Sequence, residues 1–165
     1  MFDGFMRTFR LRPREVVLSS PLAGKVIPLS EVNDETFAAG LLGDGVAIRP
    51  TGSRVVAPAD AKIEAIFPTG HALALRTVDD FSILIHLGLD TVRLQGEHFK
   101  VYAEPGDTVS RGDVLIEFDG PAIAYEGYDT IVPVLIRNTL EFSGLRVVAQ
   151  DYVDELDDLL VGRIQ

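Results

Sequence analysis

The segment His71-Ala-Leu-Ala-Leu-Arg-Thr-Val-Asp-Asp-Phe-Ser-Ile-Leu-Ile-His86 reads as one β-hairpin. Two strand-length apolar runs, His71–Arg76 and Phe81–His86, flank Thr77-Val-Asp-Asp80 as the loop. Counting outward from that loop sets Arg76 against Phe81, Ala72 against Ile85 and His71 against His86. Residues directly opposed across antiparallel strands share a sheet face, with Cβ atoms roughly 4.5–5.5 Å apart. A slip of two residues keeps both rings on that face, and a slip of one separates them. Two imidazoles brought together on a sheet suggest shared chemistry through a metal, a proton or a phosphoryl group.

Strand alternation places Ser82, Leu84 and His86 on one face and His71 beside Leu73 and Leu75, so the rings have apolar neighbours. After His86 comes Leu87-Gly-Leu-Asp-Thr-Val92. Gly88 permits a turn that brings a backbone carbonyl to one imidazole nitrogen. That bond fixes the tautomer and leaves the other nitrogen as a lone-pair nucleophile. Thr69 lies two residues before His71, where its hydroxyl can orient that ring.

Working outward, the body reads as all-β. Strand-like runs recur at Lys25–Leu29, Val46–Arg49, Arg54–Ala57, Lys62–Phe67, Val114–Phe118 and Ile131–Ile136, besides the two of the hairpin. Glycine and proline punctuate them at Gly43-Asp-Gly45, Pro50-Thr-Gly52, Pro105-Gly106 and Gly112. Glu31–Ala39 and Pro121–Tyr125 read as single helical turns. Ser20-Pro-Leu-Ala-Gly-Lys-Val26 echoes Ala57-Pro-Ala-Asp-Ala-Lys-Ile63, which suggests a folded-over sheet with internal pseudo-symmetry. The expected fold is a compact antiparallel β-sandwich or barrel-like domain over residues 15–165, with a few short helical turns. Near the end, the acidic run Asp151–Asp158 is expected to form a small helix or loop before a last strand over Leu159–Ile164.

Composition narrows the function. A chain of 165 residues with 47% hydrophobic content can fill one core. It has no cysteine, which removes disulfides, thiol nucleophiles and thiolate metal sites. No apolar run approaches the ~18 residues of a membrane span, and the chain reads as cytoplasmic. The net charge of −10 argues against nucleic acid and for a basic partner surface. Residues 1–14 run the other way, with Arg7, Arg10, Arg12 and Arg14 against Asp3. Phe2, Phe5, Met6 and Phe9 there fall on one helical face. Such a basic amphipathic segment suits an anionic membrane surface through residues 1–12, or docks on its own domain, or stays unfolded.

Ile83-Leu-Ile-His-Leu-Gly-Leu-Asp-Thr-Val92 closely resembles the phosphorylation-site signature of the glucose-type enzyme IIA family, components of the bacterial phosphoenolpyruvate-dependent sugar phosphotransferase system. The resemblance runs from about Ser19 to Asn138. It takes in Ser20-Pro-Leu-Ala-Gly-Lys-Val-Ile27, Phe37, Gly43-Asp-Gly-Val-Ala-Ile-Arg-Pro-Thr-Gly52, Val56-Ala-Pro58, Thr69-Gly-His71, Gly96-Glu-His-Phe-Lys100 and Gly112-Asp-Val-Leu-Ile-Glu-Phe-Asp119. It implies a β-sandwich and a transient phosphohistidine, with no cofactor. His86 matches the phosphorylated histidine, His71 its partner, and Thr69 the hydroxyl that positions that partner. The phosphoryl group would come from a histidine of the carrier protein HPr and pass to a cysteine on the IIB domain of a sugar-specific IICB permease. Phe37, Leu41, Leu42, Phe67, Leu84 and Val92 match the family's apolar docking surface, and Asp34 and Asp90 match acidic positions around it. Arg93 departs from the family, which often carries an acidic residue there. His98 is not carried over and reads as a surface histidine.

Two other classes remain open at this stage. A zinc hydrolase on a related sandwich would need three protein ligands and an open position, and the chain has three histidines with no His-X-His. A non-catalytic binding module would keep the fold and lose the relay.

Overall fold

A computed structural model defines the fold over residues 14–164. Of the amphipathic segment anticipated over 1–14, only Arg14 is among the described residues, and it opens a strand. The membrane-surface reading of residues 1–12 lies outside them.

Fourteen strands are present among the described residues. In chain order they are β1 (Arg14–Ser19), β2 (Gly24–Pro28), β3 (Asp44–Pro50), β4 (Arg54–Val56), β5 (Ala61–Ile66), β6 (Ala72–Thr77) and β7 (Ser82–His86). Then follow β8 (Phe99–Val101), β9 (Thr108–Val109), β10 (Val114–Phe118), β11 (Val132–Ile136), β12 (Phe142–Val147), β13 (Tyr152–Val153) and β14 (Asp158–Ile164). The two short helices are α1 (Glu35–Ala38) and α2 (Gly120–Tyr125), and 3-10 turns form at Leu29–Glu31, Thr91–Leu94 and Thr139–Glu141. Each α-helix starts on an aspartate that accepts a backbone N–H of the first turn, Asp34 from Thr36 and Asp119 from Ala122.

The main sheet has eight strands in the order β13-β2-β3-β11-β7-β6-β5-β9. Two three-stranded sheets, β1-β14-β12 and β4-β10-β8, complete the antiparallel β-sandwich. Strands β2 and β5, which carry the echoed sequences, stand the same number of steps from the centre of the main sheet. The acidic stretch corrects an expectation. It forms neither a helix nor a plain loop, because Tyr152 and Val153 pair with Lys25 and Gly24 as an edge strand. Only Asp154–Asp157 turns, with the Asp154 N–H donating to the Asp157 carboxylate at 2.8 Å.

The central strands are covered on both faces. Ile83 and Ile85 of β7, Leu73 and Leu75 of β6, and Val134 and Ile136 of β11 point into the large core between the sheets. On the opposite face Ala74, Leu84, Ala47 and Leu135 form a second, smaller cluster, roofed by Leu29, Val32 and Phe37 from the segment that holds α1. Burying each such Leu, Ile or Phe contributes about 1.5–3 kcal/mol. His86 lies on this second face, one alternation beyond Leu84.

The hairpin register differs from the count made on sequence. The pairs are Ala72 with His86, Leu73 with Ile85 and Arg76 with Ser82, a slip of one residue. The cause is the loop. Thr77 pairs with Phe81 through its backbone N–H, 3.0 Å from the Phe81 carbonyl, and its hydroxyl accepts the Phe81 N–H at 3.1 Å. That leaves Val78–Asp80 as a three-residue loop, with Asp80 at φ 66° in the left-handed region such loops use.

Candidate functional site

A one-residue slip ought to send His71 and His86 to opposite faces. It does not, because His71 precedes β6 and is not bound to its alternation. Gly70 takes φ 74° and turns the chain just before it. The residue that does oppose His86 is Ala72, whose small side chain leaves space on that face. The two imidazole centroids stand 5.1 Å apart at an interplanar angle of 77°.

Each ring is held at Nδ1. His86 Nδ1 lies 2.7 Å from the carbonyl of Gly88. A carbonyl only accepts, so this nitrogen carries the proton and Nε2 keeps the lone pair. Gly88 reaches this position at φ 81°. His71 Nδ1 is hydrogen-bonded to the hydroxyl of Thr69. His71 is buried and His86 half-buried. Phe67 meets the His71 ring edge-on at 5.2 Å, and Phe37 lies 5.0 Å from the His86 ring.

Burial holds both rings neutral. The pKa of His71 is lowered to about 4, first by desolvation and then by the neighbouring His86. That of His86 is lowered by desolvation, against the Gly88 bond and the charges of Asp34 and Asp90, which act to raise it. Near neutral pH the site presents an uncharged imidazole with a free Nε2 beside a second neutral imidazole.

The anticipated rim divides in two. Leu41, Leu42, Phe67 and Val92 are exposed at 73%, 42%, 40% and 51%. Phe37 and Leu84 are instead buried in the second cluster and form a floor. Asp34 caps α1, and Asp90 opens the turn after His86 at φ 59°.

His98 is less exposed than expected: it is half-buried, with Nε2 hydrogen-bonded to the Glu126 carboxylate and Glu97 at 4.0 Å. Glu97, His98 and Glu126 are the one three-donor cluster of metal-ligand type among the described residues, and it includes neither ring of the pair. Sequence reasoning passed over the groups that hold the Gly88 turn. The Gly88 N–H donates to the Ile131 carbonyl at 3.0 Å, the Leu89 N–H to the Asp129 carbonyl at 2.9 Å, and the Thr91 hydroxyl to the Leu87 carbonyl at 2.5 Å. The signal for Thr91 was a lone hydroxyl in an apolar run.

This arrangement defines a class: an antiparallel β-sandwich domain bearing a desolvated histidine pair packed against Phe37 and Phe67. The family model described as phosphoenolpyruvate-dependent sugar phosphotransferase system, EIIA 1, matches residues 16–142. The PTS system beta-glucoside-specific EIIBCA component of Dickeya chrysanthemi is 47% identical over 86% of this chain and 22% of its own length. The PTS system glucose-specific EIIA component of Oceanobacillus iheyensis is 38% identical over 84% of both chains. Glucose permease IIA from Mycoplasma capricolum, a solved structure, superposes with a TM-score of 0.81 at 32% identity, covering 90% of this chain and 96% of that one. The chain spans about a fifth of the length of the multidomain relatives it matches. The chain belongs to the EIIA 1 family of the phosphoenolpyruvate-dependent sugar phosphotransferase system. Among the described residues no helix is long and apolar enough to cross a membrane.

Proposed function

We propose that His86 is the phosphoryl-accepting residue of a sugar phosphotransferase relay. Nε2 of His86 attacks phosphorus on the phosphohistidine of HPr; the new N–P bond forms as the donor's N–P bond breaks and the donor ring leaves. A cysteine thiolate of a sugar-specific IIB domain then attacks the same phosphorus, and the His86 N–P bond breaks. Both steps are in-line displacements, in which the protein contributes mainly positioning and charge stabilisation. Thr69 donates its hydroxyl to Nδ1 of His71, so the Nε2–H of His71 is free to donate to the phosphoryl oxygens. The apolar floor limits hydrolysis by keeping water from the phosphoimidazole.

The observation that carries this reading is the Gly88 carbonyl 2.7 Å from His86 Nδ1, which leaves a neutral nucleophilic Nε2 beside His71. Leu41, Leu42, Phe67 and Val92 form the docking rim, shared in turn by HPr and IIB, and Asp34 and Asp90 meet basic groups of HPr. Charge complementarity of this kind serves encounter and register. The IIB domain is that of a IICB permease, as the multidomain names of the relatives suggest. Relatives named for β-glucoside and for glucose match the same chain, so sugar choice rests with the membrane component. The relay operates in the cytoplasm.

Incubation with labelled phospho-HPr tests the proposal. The protein takes up one acid-labile, alkali-stable phosphoryl group, and His86→Ala takes up none. Labelling that survives His86→Ala refutes the assignment, and no labelling of the wild type in a complete mixture returns the chain to the class of binding modules.

A further inference from the structure

We propose that Thr91 is a positioning residue for the histidine pair, acting through the backbone of Leu87 and Gly88. Three consecutive peptide groups run from His86 to Leu89, and the outer two each bond to one of the histidines. The first donates the Leu87 N–H to the His71 carbonyl at 2.7 Å. The third offers the Gly88 carbonyl to His86 Nδ1 at 2.7 Å. The middle one, between Leu87 and Gly88, touches neither histidine, yet its tilt sets the direction of both neighbours. It is gripped from two sides, its N–H by the Ile131 carbonyl and its carbonyl by the Thr91 hydroxyl at 2.5 Å.

Thr91 is suited to this role in both halves of its side chain. It is 0% exposed, so its hydroxyl has no water to turn to and the bond to Leu87 is kept. Its methyl group fills the space over Gly88, where an added Cβ would stand 2.6 Å from Thr91 Cγ2. The hydroxyl holds the Leu87 carbonyl while the methyl lies against Gly88. The Gly88 carbonyl is thereby left to face Nδ1. Of the contacts that hold this middle peptide, the one from Thr91 is made by a side chain and can be removed by substitution.

The tautomer of His86 reports this directly and needs no partner protein. In the wild type, nitrogen NMR of the imidazole is expected to show Nδ1 protonated and Nε2 bare. Thr91→Val keeps the shape and loses the hydroxyl, and it is expected to yield a mixture of tautomers. Thr91→Ser restores the donor and returns the single tautomer. Thr91→Ala provides the same comparison should the valine variant fail to fold. The kinetic arm rests on the phosphocarrier reading: the rate of acceptance at saturating phospho-HPr falls on the order of tenfold in Thr91→Val, with little change in half-saturation. A folded valine or alanine variant with an unaltered tautomer and rate overturns the proposal, even if its unfolding midpoint drops. Absence of phosphoryl uptake by the wild type sinks the carrier reading alone, since the tautomer comparison still decides the role of Thr91.

Discussion

The carbonyl of His71 accepts the backbone N–H of Leu87 at 2.7 Å. The two imidazoles are thus linked through paired backbone, Leu87 being the residue after His86, and their centroids stand 5.1 Å apart. A relay that must receive and release the same group gains from such a fixed geometry.

His71→Gln should separate receipt from release. Glutamine keeps a donor amide but loses the ring locked by Thr69. Labelling of His86 by phospho-HPr is expected to stay near the wild-type rate, while onward transfer to a IIB domain falls by about tenfold or more. Quench-flow measurement of the two half-reactions gives the answer, and onward transfer at the wild-type rate removes the role assigned to His71.

Asp90→Asn and Asp34→Asn should each lower the pKa of His86 further. Both carboxylates raise it against the effect of burial. Asparagine preserves the cap that Asp34 supplies to α1, so the change isolates charge. Following the His86 ring by NMR through a pH titration is the check, with the double variant lower than either single one.

Stability should fall as the solution is acidified from about pH 6.5 to 4. His71 has a folded pKa near 4 against an ordinary value of 6.5. Between these values the unfolded chain binds the proton and the folded one does not, so acid favours unfolding. The contribution is fully present above pH 6.5 and is lost as the pH falls through 4. Urea unfolding of the wild type and of His71→Gln across this window should show the slope flattened in the variant.

Gly88→Ala should be severely disruptive. A Cβ there meets Thr91 Cγ2 at 2.6 Å and the Asp129 carbonyl oxygen at 2.8 Å, on a backbone at φ 81°. The combined cost of a left-handed alanine and the overpacking is roughly 2–5 kcal/mol. Gly52→Ala, with nothing within 4 Å of the new methyl, provides a control expected to stay within about 1 kcal/mol of wild type. Denaturant midpoints of the two variants compare them directly.

Much of the fold was legible from alternation and turn residues. Lys25–Leu29, Lys62–Phe67 and Ile131–Ile136 each came within one residue of β2, β5 and β11 at either end. The two-residue strands β9 and β13 were not visible, because a pair of residues carries no period and pairing is decided by distant partners. The hairpin register was missed through a single backbone angle, that of Asp80, which a non-glycine residue seldom adopts. The juxtaposition of the rings survived that error because Gly70 frees His71 from the pleat. Thr69 and Gly88 could be read for local reasons, each being two residues from its histidine. Asp129 could not, since it acts through a main-chain carbonyl that no residue type announces, and the Thr91 hydroxyl gained meaning only once the Leu87 carbonyl it bonds was placed.

The main sheet ends on β13 and β9, each only two residues long. A longer, flatter margin would offer a template on which a second polypeptide could add itself as a strand. Several relatives named as EIIBCA components carry this unit as about a fifth of a longer polypeptide. Abrupt margins give an approaching strand little backbone to pair with.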